Sequence, residues 1–190
     1  MRTLAALTVW LVTALPAFAW AVEWPADIEE NERWVLVDTT DYKLVVYDGT
    51  LPLVTFNNIA IGRAGTTTTP QRGDLATPLG EFRIDRINGQ SRFHLFFGLD
   101  YPTLRHADAS FTAGVISRED YRKFLDGLVR YGRPPQNTAL GGNIGIHGIG
   151  QGDAQLHRAA NWTEGCVALE DAQMDVLSGL VGIGTRVIIR

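Results

Sequence analysis

GNIGIHG, residues 142–148, and WTEGCVAL, residues 162–169, are the stretches on which the reading of this chain turns. The first delivers His147 between glycines at the end of a short alternating run. The second places the one cysteine of the chain, Cys166, after Gly165 and at the head of an apolar strand. A thiol of ordinary pKa, about 8.5, is mostly protonated at neutral pH and needs a base or a positive neighbour to become the reactive thiolate. A histidine within hydrogen-bond reach supplies that base and can later protonate a leaving amine. Gly165 lets a substrate approach the backbone, and the amides of Gly165 and Cys166 are expected to donate to an oxyanion. The separation of His147 from Cys166 in sequence decides nothing, because such partners meet in space.

Outward from these stretches the chain has 190 residues, a length that suits one domain. Apolar residues make up 45% and charged residues 20%, which excludes a disordered chain. Seventeen basic against 21 acidic residues give a formal charge of -4 with no basic stripe, so nucleic acid is not an expected partner. Twenty glycines and eight prolines favour a turn-rich β fold over a helical bundle. A single cysteine leaves no intrachain disulfide and no multi-cysteine zinc site.

Valine, leucine and aromatic residues mark strands at 34–37 and 44–47, with Asp48-Gly49 as a hairpin turn into a further strand over 53–61. A polar surface loop is expected over 62–77, strands over 82–87 and 92–97, and a last strand over 185–189. Two helices are expected. One is capped by Ser117 and Asp120 and presents Tyr121, Phe124, Leu125 and Leu128; the other spans 171–180 with Met174 and Leu177 inward. Residues 132–142 read as a loop inside the domain. The sum is a mainly β domain with short helices.

The N-terminus reads as a secretory signal peptide over 1–19. Arg2 is followed by an apolar run from Leu4 to Leu15, shorter than the ~20 residues that span a bilayer. Cleavage is expected after Ala19, with Ala21 the alternative. Residues 20–33 form a lead-in and 34–190 the functional domain, with no membrane span once the leader is gone. Export sharpens the cysteine question, since an unpaired thiol outside the cytoplasm is either buried and inert or reactive for a reason.

Three segments in order, ATPLGEFRI (76–84), IGIHG (144–148) and TEGCVAL (163–169), resemble the L,D-transpeptidase catalytic domain, the YkuD family, over roughly 34–190. PPQNTALGGNIGIHG, with Leu99-Asp100-Tyr101-Pro102 before it, is most similar to the YafK-like (DpaA-like) branch. The resemblance implies a β-sandwich-type single domain acting in the periplasm on peptidoglycan stem peptides, in cell wall biogenesis and cell shape, with an envelope lipoprotein as a second class of partner. It implies Cys166 as nucleophile and His147 as general base, with Gly165, Thr163 and Gly148 in oxyanion or substrate binding, and neither cofactor nor metal. Resolution of the thioester by an amine would make a transpeptidase; resolution by water would make an amidase or carboxypeptidase. Two positions depart from the family pattern. Glu164 stands where many members have histidine, and Ala168 where they carry an arginine suited to holding a carboxylate. Arg158 and Arg63 are the substitutes considered.

Competing readings are a buried, inert Cys166; a core His147; His157 as rival base from a polar loop; a metal site of His147, Asp153 and His157; and a non-catalytic wall-binding module. His94 and His106 read as surface or loop residues.

Overall fold

The computed structural model describes residues 27–190, so the expected leader and the first part of the lead-in lie outside the described residues. β1 (Arg33–Asp38) and β2 (Lys43–Asp48) form an antiparallel pair in perfect register. The side chains obey the period of two, with both faces covered. Val35, Val37, Leu44 and Val46 enter the main core, while Trp34, Leu36, Val45 and Tyr47 form a second cluster on the opposite face. Gly49 turns the chain at φ 55°, where a Cβ would stand 2.1 Å from the Glu30 carbonyl oxygen, and β3 (Leu51–Asn57) pairs back on β2.

The polar stretch 62–77 is mostly loop, as expected, but it carries a two-stranded parallel ribbon, β4 (Thr66–Thr67) with β5 (Thr77–Pro78). β6 (Gly80–Ser91) is longer than the expected 82–87 and joins β7 (His94–Leu99) through a tight turn. Arg92 therefore sits in that turn and does not open the next strand.

α1 (Leu104–Thr112) was not expected. It has no acidic residue in its first turn and no side-chain hydrogen bond to its N-terminal amides, so the usual start signals are missing. α2 (Arg118–Tyr131) begins in the expected Ser117–Asp120 capping box and ends at Gly132, φ 65°. α1 and α2 share a small core of Ala107, Ile116, Phe124 and Leu140. Then come β8 (Gly145–His147), α3 (Ala154–Ala159), β9 (Val167–Ala168), α4 (Asp171–Ser178) and β10 (Arg186–Ile189). α3 is too short to show a helical period. α4 stops before the expected Leu180, with Met174 and Leu177 fully buried.

The eight-stranded order is β3-β2-β1-β10-β6-β7-β8-β9. The chain leaving β3 then bridges β9, with Ala60 and Ala168 exchanging N–H···O bonds of 2.9 and 2.7 Å. The two ends of the order thus meet, and the sheet curls round a core drawn from eight of its strand segments and α4. This is the mainly β, single-domain architecture with short helices that the sequence implied.

Candidate active site

β8 and β9 run parallel, pairing Ile146 with Val167 and His147 with Ala168. Ile146 and Val167 point into the main core and are wholly buried. Alternation turns His147 and Cys166, which immediately precedes β9, to the opposite side. Cys166 lies one strand over and two residues back from the partner of His147, a diagonal spanning roughly 7–8 Å between backbones and within reach of an aromatic ring. Both side chains line one pocket of about 460 Å³, with Arg92, Phe93, Asn143, Trp162, Thr163 and Glu164.

The His147 ring is buried and fixed. Phe93 stacks on it at 4.3 Å, and Trp162 meets it edge-on at 5.7 Å. Nδ1 lies 2.7 Å from the Gly148 carbonyl oxygen. A carbonyl only accepts, so Nδ1 carries the proton and the neutral ring presents the lone pair of Nε2. Burial holds the imidazole below its ordinary pKa, against the Gly148 bond that raises it. Gly148 thereby orients the histidine. Its own backbone is packed so closely that a Cβ would stand 2.4 Å from Asp171 Oδ1.

Cys166 is half-buried, its Sγ 3.5 Å from the Asn143 carbonyl oxygen. Burial pushes the thiol up to about 11, against a backbone hydrogen bond from Gly145 and the charge of Arg86. The resting pair is therefore a neutral thiol and a neutral imidazole.

The turn before Cys166 is tied by Thr163. Its hydroxyl donates to the Cys166 carbonyl oxygen at 2.6 Å and accepts the Gly165 N–H at 3.2 Å. Gly165 has φ 124°, and a Cβ there would lie 2.8 Å from the Ala76 carbonyl oxygen, so the position requires glycine. Ala76 belongs to the upstream ATPLGEFRI segment, which thus braces the cysteine turn. The Gly165 amide, engaged by Thr163, is thereby taken out of the pair that the sequence offered as oxyanion donors.

His157, expected in a loop with nothing to fix it, lies buried on α3, where its Nδ1 accepts the Trp162 Nε1–H at 3.2 Å. It holds a wall of the pocket and does not line it. His106, expected at the surface or in a loop, is buried on α1 between Thr103 Oγ1 (2.7 Å) and the Leu79 carbonyl oxygen (2.9 Å). His94 opens β7, partly exposed, and meets Asp175 at 2.6 Å. Among the described residues no three His, Cys, Asp or Glu side chains gather as a metal would need, and the Asp153 carboxylate is engaged by the Gln155 and Leu156 amides. Arg63 pairs with Glu164 at 3.4 Å and Arg158 with Glu170 at 3.5 Å, so each arginine considered as a carboxylate holder already has an acidic partner. Ala168 is fully buried. Sequence reasoning missed Arg92 and Phe93 as pocket residues, having drawn a strand through their turn.

The sequence matches the family model of the L,D-transpeptidase catalytic domain, YkuD, over residues 32–189. Among solved structures it is similar to the helical cell shape determining protein Pgp2 from Campylobacter jejuni, with 22% identity over 85% of this chain and 48% of that one and a TM-score of 0.57. It is similar also to Bd1075 from Bdellovibrio bacteriovorus, with 18% identity, 84% of this chain, 48% of that one and a TM-score of 0.53. The chain spans about half the length of these structures. No curated protein matches it in sequence.

Proposed function

The chain belongs to the YkuD family of L,D-transpeptidase catalytic domains, and on that premise we propose that it is a periplasmic cysteine acyltransferase acting on peptidoglycan stem peptides. The observation that carries this reading is the single pocket shared by the Cys166 thiol and an imidazole whose Nδ1 is committed to Gly148.

In this reading Nε2 of His147 takes the thiol proton as Sγ attacks an amide carbonyl carbon. The two groups are neutral at rest, so proton removal accompanies attack instead of preceding it. The Cys166 amide donates to the oxyanion. The imidazolium returns its proton to the amine nitrogen, the C–N bond breaks, and a thioester on Cys166 remains. An acceptor amine, or water, loses its proton to His147 and displaces the thiolate, which is reprotonated. Thr163 and Gly165 hold the cysteine turn, and Gly148 holds the imidazole.

Transfer to an amine, as a cross-link or a lipoprotein attachment, is the first reading. Hydrolysis is the second, favoured by the apolar, buried Ala168 at the position where related sequences carry an arginine. In either case the 134–148 stretch resembles the YafK-like (DpaA-like) branch. Both readings require export, in agreement with the leader expected from the sequence.

Purified sacculi incubated with the protein, followed by muropeptide separation, test this directly. New cross-linked dimers would mark transfer, and loss of linkages without new ones would mark hydrolysis. Cys166→Ala should leave the profile of untreated sacculi. An identical change from Cys166→Ala and the unsubstituted protein would contradict the proposal.

A further inference from the structure

The pocket around Cys166 is lined by one guanidinium, that of Arg92. Its backbone is anchored: the Arg92 carbonyl oxygen accepts the Gln151 N–H at 3.2 Å, and Gly150 approaches so closely that a Cβ there would sit 2.2 Å from that oxygen. The β6–β7 turn is thus tied to the loop that follows His147.

The guanidinium has neither a carboxylate nor a hydrogen-bonding side chain as partner among the described residues. Other arginines of this region are engaged. Arg86 bonds Asp85 at 3.0 Å, and Arg63 and Arg158 pair with Glu164 and Glu170. The Arg92 side chain lies 4.6 Å over the Phe93 ring, and Phe93 in turn stacks on His147 at 4.3 Å. Imidazole, phenyl and guanidinium therefore form one layered wall. The outer layer is an exposed, permanently charged fork that matches a carboxylate bidentately.

The position of this wall selects the ligand. His147 delivers the proton to the departing amine, so groups layered on it flank the leaving side of the scissile bond. When the leaving group is a terminal amino acid, its carboxylate is borne on the same carbon as that amine. We propose that Arg92 binds the α-carboxylate of the amino acid that leaves, making the pocket selective for stem peptides with a free C-terminus. The inference rests on the acyl-transfer reading of the same site. It also places the carboxylate-holding cation on the β6–β7 turn, at a different place in the fold from Ala168.

The test uses a synthetic stem tetrapeptide ending in a D-amino acid, as the free acid and as the C-terminal amide. Binding is measured by calorimetry to the Cys166→Ala protein, which cannot turn it over. The acid should bind about tenfold tighter than the amide. Adding Arg92→Gln should bring the two within about twofold, and Arg92→Lys should restore part of the difference. Equal binding of acid and amide to Cys166→Ala would overturn the inference, as would a preference that survives Arg92→Gln. Turnover by the unsubstituted protein separates the two readings: an acid preference in binding with no Cys166-dependent turnover of either peptide would overturn the acyl-transfer proposal and with it the role of Arg92 in that reaction.

Discussion

At one end of the sheet, β1 and β2 are six-residue strands paired along their whole length and buried on both faces. At the other, β8 and β9 have three and two residues, flanked by glycines and held by turns and side-chain hydrogen bonds. The first end contains no histidine or cysteine; the second carries Cys166 and His147. The difference is one of what satisfies the backbone. A long ladder consumes every amide in pairing and leaves only apolar side chains to contribute stability. Two short strands leave amides and carbonyls free to orient an imidazole, tie a turn and face a substrate. Stability should therefore be concentrated at the β1–β2 end and chemistry at the β8–β9 end.

The sharpest way to break that division is Trp34→Ala. Trp34 is buried, stacks on Tyr47 at 4.6 Å and donates Nε1–H to the Gly49 carbonyl oxygen at 2.8 Å. Truncation should cost about 3–5 kcal/mol of unfolding free energy in urea titration. The kcat of the molecules that remain folded should stay within about twofold, and Trp34→Phe should lose less stability with the same kcat. A fall in kcat beyond the folded fraction would show the two ends to be coupled.

Thr163→Val tests the opposite end. It removes the donor to the Cys166 carbonyl and the acceptor of the Gly165 amide at nearly constant volume, so stability should drop by about 1–3 kcal/mol. Acylation of Cys166 should slow by about tenfold, and Thr163→Ser should recover most of it. Unchanged acylation would remove the turn from the account.

The smallest effect is in pH. Burial depresses His106, His147 and His157 below the ordinary value of 6.5. Between 6.5 and their folded values the unfolded chain binds protons that the folded chain refuses, so stability falls as pH falls through that window. Thermal unfolding should show a lower midpoint at pH 5.5 than at pH 7.5, with His94, raised by its bond to Asp175, working in the opposite sense. The acid limb of kcat/KM should lie below 6.5, because the His147 base stays neutral to lower pH than a free imidazole. A limb above 6.5 would contradict the buried ring.

The strands at 34–37 and 44–47 were legible because valine, leucine and aromatic residues run there without a break. α1 and α3 were not, since one lacks the usual N-terminal signals and the other is shorter than two turns. The Cys166 and His147 segments were legible from glycines flanking reactive residues, and the structure places both in one pocket. The His157–Trp162 bond escaped reading because it depends on a short helix invisible to periodicity. Arg92 escaped because the expected strand opens at 92, whereas residues 92–93 form the β6–β7 turn and β7 opens at His94. The direction of the Cys166 shift was also hidden: sequence chemistry suggests an activated thiolate, whereas burial favours the protonated thiol.

The central claim is that Cys166 accepts an acyl group with His147 as its base. Intact-mass measurement after incubation with a stem tetrapeptide or a carbapenem reads it directly. One acyl adduct is expected, mapped to Cys166, absent in Cys166→Ala and formed at least about 100-fold more slowly in His147→Gln. An adduct on another residue, none at all, or one formed at the same rate without the imidazole would contradict it.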